Sequence, residues 1–399
     1  MRILWWPAVL AGCSFELRGT LDGGGADADP DALIDGSVTI DAADGIGDVA
    51  HVPAAIEDVF DATGHLAIVN ATITTRSGTI APTIDVTLPP GTSLTYSVQD
   101  GGGRELAILM VGSLQVSGTL RVRGARPLVI IAKSDMVISG VIDGNADGGV
   151  EGPGGFSGGP GAGGVGGSDA GSYDDAGGGG GGFGGAGAPG QRSGPAVSGT
   201  QGPVYGTPDL LRLEGGSGGG GLVPACTGHP PGAGGGAIQL YARGTITLGG
   251  AVMVNGGGGS GGLVCPANGL GTSGAGGGSG GAIYVQAGML TGAGRLLAQG
   301  GGGGGASNFN AGASGGDGQP GQPAIQAAAG GIGAGTGVGG ENNTGGAGGY
   351  RNAGAPALST LSGANYGNGG GGGGGVGRIV IRAPSIVGIQ TSPQAVENP

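Results

Sequence analysis

The sequence predicts an all-β fold: a single-stranded parallel β-helix, or solenoid, carrying long glycine-rich inserts. Apolar and polar residues alternate in short runs, which is the period of half-buried strands. The runs recur as related units of about 20–22 residues, enough for one coil of three short strands. Glycine supplies 111 of the 399 residues, about four times ordinary usage, and most of it lies between the units.

The repeat is clearest where LAILMVGSLQVSGTLRVRG (106–124) is set above LVIIAKSDMVISGVIDGNA (128–146). An offset of 22 places Leu106 on Leu128, Ile108 on Ile130, Leu114 on Met136, Val116 on Ile138 and Leu120 on Ile142. The opening motif returns as AIQLYARGTITLGGAVMVNGG (237–257), AIYVQAGMLTGAGRLLAQGG (282–301) and RIVIRAPSIVGI (378–389). Stacked coils satisfy the backbone groups of each strand from the next. In this register Ile108, Ile130, Ile238, Ile283 and Ile379 form an inward aliphatic ladder. Gly118, Gly140 and Gly250 mark corners that need positive φ or no Cβ. An open sandwich of ordinary hairpins is the rival architecture.

The excess length sits after the third strand of a coil, in inserts at 147–236, 256–281 and 300–377 of a 106–399 solenoid. Three states are open to them. Glycine-rich chains behave as flexible coil. They can also pack as polyglycine-II-like bundles of extended three-fold helices, where only glycine fits the contacts. Other compact loops are the third. Cys226 and Cys265 both follow Gly-Gly-Leu-Val in consecutive inserts. Coils stack about 4.8 Å apart, within disulfide reach; the alternative is two unpaired loop thiols.

Residues 65–105 also alternate and are bounded by Pro82, Pro89 and Pro90, which suits a β cap over the first coil. The tail SPQAVENP suits a blunt far end. Residues 14–64 read as an acidic, disordered tether: residues 1–64 hold twelve of the 27 acids against Arg2 and Arg18. Asp27, Asp29 and Asp31 alternate as in a calcium loop, but Ala32 stands where that loop needs Gly. The remainder is nearly neutral and has no basic stripe, which argues against a nucleic-acid partner.

Few residues carry recognisable chemistry. His51, His65 and His229 are not in metal-ligand spacing. Asp143, Asn145 and Asp147 match the first half of a calcium loop, and calcium is the one cofactor the chain could hold. Position twelve is Gly154 rather than Glu, so an Asx-rich turn competes with that reading. Lys133, Asp135, Asp143, Arg121 and Arg123 fall at outward strand positions, where β-helix enzymes on polysaccharides display their acids. Phe156, Tyr173, Phe183, Tyr205, Phe309, Tyr350 and Tyr366 all lie in the inserts. Isolated aromatics on such loops could contact a receptor or glycan, or anchor each insert to its own scaffold.

The N-terminus MRILWWPAVLAGCSFEL combines Arg2, an apolar run and Leu10-Ala11-Gly12-Cys13, and resembles the lipobox of bacterial lipoproteins. That resemblance makes residues 1–13 a signal segment with Cys13 as the lipidated residue. Its twelve residues before the cysteine are fewer than the usual 15–30 or so, and a buried apolar N-terminus is the alternative. With the acidic tether and the units ending in glycine, the chain resembles glycine-rich predicted lipoproteins of myxobacteria, often labelled PE-PGRS-like for composition. The Pro-Glu helical domain of the mycobacterial family is absent. The resemblance implies a lipid-anchored protein of the outer membrane or cell surface, structural or adhesive, with a glycan or protein receptor as partner. The alternative is a β-helix lyase or glycosidase on polysaccharide.

Overall fold

The repeats fold into strands joined in one mixed, sixteen-stranded sheet. The computed structural model describes residues 49–57, 62–100, 102–167, 175–221, 229–264, 271–308, 313–334, 343–352, 354–356, 358 and 367–397. All belong to one compact unit, Gly45–Pro399. After a single helical turn, α1 (Ala54–Glu57), come β1 (His65–Thr74), β2 (Thr83–Ile84), β3 (Ser93–Val98), β4 (Glu105–Val111), β5 (Ser113–Arg123), β6 (Leu128–Ala132), β7 (Met136–Ile138) and β8 (Val141–Asp143). The later units supply β9 (Ala237–Leu248), β10 (Ala251–Met253), β11 (Ala282–Thr291), β12 (Arg295–Leu297), β13 (Arg378–Arg382), β14 (Ile386–Val387), β15 (Gln390–Ser392) and β16 (Val396–Glu397).

Pairing is parallel except for β1 with β2 and β3 with β4, and it runs in three ladders. The first joins β4, β6, the front halves of β9 and β11, then β13 and β16. The second joins the front halves of β1 and β5, then β7, the rear halves of β9 and β11, and β14. The third joins the rear halves of β1 and β5 with β8, β10, β12 and β15. Leu109, Ile130, Leu240, Val285 and Ile381 from the first ladder share one buried cluster with Leu114, Met136 and Ile246 from the second and Leu120, Ile142 and Val252 from the third. Each of these side chains contributes about 1.5–3 kcal/mol of burial.

The first ladder corrects the expected register. Ala107 pairs with Leu128 and Leu109 with Ile130, an offset of 21, whereas Leu114 still pairs with Met136. Lys133, Ser134 and Asp135 separate Ala132 from Met136, where only Gly112 and Ser113 separate Val111 from Leu114. A slip of one residue reverses the faces, so Ile108 leaves the expected ladder; Ile130 keeps its face but pairs with Leu240, and Leu128 takes the place beside Ile238. Ile108 joins a second buried cluster on the other face with Leu106, Val129, Ile131 and Tyr284, under Phe183, Leu210 and Leu213. Leu106–Val111 and Leu128–Ala132 are apolar at every position and nearly all buried on both faces, so alternation cannot set their register.

Corners are held by close approach. A Cβ on Gly140 would lie 1.9 Å from the Gly118 carbonyl oxygen, and one on Gly250 would lie 1.7 Å from that of Gly140. These corners therefore need the missing Cβ. At the start of the chain, Val49, Val52 and Ala62, within the stretch whose composition reads as tether, are buried in the second cluster. At the far end β16 extends the first ladder, so the tail adds a strand instead of only blunting the edge.

Four runs of the inserts depart from flexible coil. Residues 176–183, 274–281, 299–307 and 368–377 are buried. Their backbone hydrogen bonds repeat every third residue toward three different neighbours. Gly301 and Gly304 donate to Gly278 and Ala275, Gly300, Gly303 and Ala306 to Gly349, Gly346 and Asn343, and Gly302, Gly305 and Asn308 to Gln319, Gly316 and Ala313, all at 2.8–3.0 Å. The inserts also bond one another: Gly178 donates to Gly274, Gly274 to Gly369, and Gly372 back to Gly178. At the glycines packing this close leaves no room for a side chain, since a Cβ on Gly276 would meet the Gly179 oxygen at 1.9 Å.

Candidate functional site

The Asp143–Asn145–Asp147 turn leaves the third ladder, and the side chains of Asp143 and Asn145 are engaged within the protein. Arg121 pairs with Asp143 across the ladder, and Arg121 and Arg123 each lie 3.4 Å from the Asp143 Oδ2. The Asn145 Oδ1 accepts the Asn255 N–H at 2.7 Å, and the Asn255 Oδ1 accepts the Gln299 N–H at 2.8 Å. Gln299 Nε2 continues this amide ladder to Ser392 Oγ at 3.0 Å. Asp147 is exposed in a short turn closed against Val150. Among the described residues no group of three His, Cys, Asp or Glu could hold a metal ion. Asn145 joins the end of β8 to the residue two beyond β10.

The insert aromatics divide by position. Phe183 is fully buried and packs 4.8 Å from the ring of Tyr205. Phe156 lies under the Arg104 guanidinium, 3.9 Å from the ring centre, while Arg104 donates to the carbonyls of Gly154 at 2.8 Å and Gly155 at 3.2 Å. Tyr350 is half-buried beside Arg351. Phe156, Phe183 and Tyr205 thus act as anchors between insert and scaffold. Tyr173, Phe309 and Tyr366 lie outside the described residues, as do Cys13, Cys226 and Cys265.

Around Tyr205 the fold gathers charges that the sequence scatters. The Tyr205 hydroxyl donates to the Gly215 carbonyl at 2.6 Å and accepts from Ser217 Oγ at 3.1 Å. Arg378, at the start of β13, donates to the Tyr205 carbonyl at 2.8 Å. Burial pushes the Tyr205 phenol well up, and the nearby Glu214 carboxylate adds to the shift. Burial likewise raises Glu214, opposed by Arg212, Arg104 and Arg378, and lowers Arg104 and Arg378. A cavity of about 150 Å³ opens beside Glu214, lined by Thr207, Leu210, Leu211 and Arg212. Arg378 ties the last unit to the first insert through the Tyr205 carbonyl. Sequence reasoning missed Glu214 and Arg378. The available signal was Arg212 and Glu214 placed among leucines of apolar character, in LLRLEGG.

The outward strand charges do not form one array. A groove of about 380 Å³ beside the third ladder is lined by Asn70, Thr72, Asp85, Thr119 and Arg121. Within it Asp85 Oδ1 accepts the Thr72 N–H at 2.7 Å, and Asn70 Oδ1 accepts the Thr119 N–H at 3.2 Å. Asp135 Oδ1 accepts the Thr245 N–H at 2.7 Å at another corner. Asp143, expected outward, is buried under its arginines. No family model, curated protein or solved structure matches this chain.

Proposed function

We propose that this chain is a lipid-anchored cell-surface protein, structural or adhesive, in which a parallel β-helix carries polyglycine-II-like inserts as a second rigid layer. One observation carries the reading: buried glycine-rich segments hydrogen-bond at three-residue intervals to three neighbours each. A three-fold extended helix directs successive N–H groups about 120° apart, so this pattern fits polyglycine-II packing. Such a layer holds loop ends in fixed positions without a conventional core, which suits a presenting surface. Stacked ladders that share one core support the β-helix.

In this reading Cys13 carries the lipid, Cys226 and Cys265 form a disulfide across neighbouring inserts, and the partner is a surface glycan or protein receptor. The full chain, displayed on cells, is tested for binding to a glycan array and to host or neighbour cells. Shortening the 147–236 insert abolishes binding, whereas alanine at Asp85, Asp135 and Asp143 preserves it. Cleavage of a glycan that those acid changes abolish would instead establish the enzyme. Metabolic labelling with a fatty-acid analogue tests the anchor, and loss of label in Cys13→Ala is the expected result.

A further inference from the structure

The segment that follows the acidic stretch is strapped to the outer face of the first ladder at one histidine. Ala50 N–H donates to Gln286 Oε1 at 3.2 Å, and Gln239 Nε2 donates to the Ala50 carbonyl at 2.7 Å. That second bond orients the Gln239 amide, so its Oε1 is the atom facing His51 Nδ1, at 2.7 Å. His51 Nε2 faces the Leu210 carbonyl at 2.5 Å. Both neighbours are acceptors, and neither can donate. Neutral imidazole has one N–H and one lone pair, so it satisfies only one contact and sets a lone pair against an oxygen at the other. The doubly protonated ring satisfies both. The backbone of His51 sits at φ 68, a left-handed conformation uncommon outside glycine, held here by its side-chain and carbonyl contacts.

We infer that His51 is a proton-dependent latch. With two ring protons it clamps the strap Val49–Pro53 and the Leu210 loop together on β9, and loss of one proton opens the clamp. The groups around the ring are few. The Tyr284 ring from β11 meets it edge-on at 4.9 Å, and the Arg382 guanidinium from β13 lies 5.6 Å from the Tyr284 ring centre. Asp209 acts on Tyr284 from the Leu210 loop, and the Asp100 N–H donates to the His51 carbonyl at 2.9 Å.

The test is hydrogen exchange of the full-length protein at about pH 5 and about pH 8, with rates corrected for intrinsic pH dependence. The amides of Ala50, Val52, Ile56 and Asp100 report the strap, and β11 serves as the internal reference. Protection of the strap should fall about tenfold or more between the two conditions, the scale of one lost hydrogen bond to a charged group, while β11 stays constant. In His51→Gln, strap protection should be low and equal at both. Gln239→Leu should lower protection at the acidic condition. Constant strap protection in the unaltered protein would overturn the latch, as would the same pH-dependent loss in His51→Gln.

Discussion

Substituting Gly276 with alanine tests whether the glycine layer is a packed structure with a definite cost for every added atom. The new Cβ would lie 1.9 Å from the Gly179 carbonyl oxygen and 2.6 Å from its carbon, where real Cβ atoms essentially never come closer than 3.0 Å. The two segments must therefore separate by about 1.1 Å. Gly276 also donates to the Gly220 carbonyl at 2.9 Å, and Gly179 to that of Gly164 at 2.8 Å, so the separation strains bonds on both sides. Overpacking costs about 1–3 kcal/mol, and one or two weakened hydrogen bonds add about 1 kcal/mol each. The lower entropy of the unfolded alanine chain returns about 0.4–1 kcal/mol. The net loss is about 1–5 kcal/mol, read as a lower urea midpoint at constant slope. Gly158→Ala is the matched control, because a Cβ there meets nothing within 4 Å, and it should be neutral or stabilising by about 0.4–1 kcal/mol. Equal midpoints for the two variants would refute close packing of the inserts.

Other sites give sharp expectations. Arg126, 2 % exposed, donates to the carbonyls of Thr75 and Ile80 at 3.1 and 2.8 Å and pairs with Glu105 at 2.7 Å. Arg126→Met should cost about 2–4 kcal/mol in urea unfolding by leaving those carbonyls unpaired. Burial raises Glu214 in the folded state, so its contribution to stability is full below the ordinary glutamate range and falls as pH rises through the raised value. Glu214→Gln should therefore raise the urea midpoint at neutral pH, and the advantage should vanish in acid; a pH-independent difference would count against the desolvation argument. Tyr205→Phe removes the bond to the Gly215 carbonyl and should lower stability by about 1–2 kcal/mol. Millimolar calcium should leave the thermal midpoint unchanged, because Asp143 is held by Arg121 and Arg123; a calcium-dependent rise would show that the metal displaces them.

Legibility followed the side chains. Leu114, Met136 and Ile246 alternate with polar residues, and their ladder pairs as alternation predicts. Leu106–Val111 and Leu128–Ala132 have apolar residues on both faces, so the repeat was visible and its register was one residue off. Asn145, Asn255 and Gln299 looked unrelated because more than forty residues separate each from the next. Only the parallel pairing of β8, β10 and β12 brings their amides into one ladder. The same holds for Arg378 and Tyr205, which meet because the first insert folds back over the outer face of the last unit.

By itself the sequence determined the strand-forming units, their order, the all-β class and the recurring corner from which glycine departs. Those features depend on side-chain size and polarity at particular positions, and such information is written locally. Only the tertiary structure decided what the glycine does. One glycine run carries no side chain to distinguish it from another, so nothing local says that Gly178 will bond Gly274 or that Gly301 will bond Gly278. That choice follows from where the stacked strands place the two ends of each insert, and from the absence of a Cβ that lets the backbones approach until every third N–H finds its carbonyl.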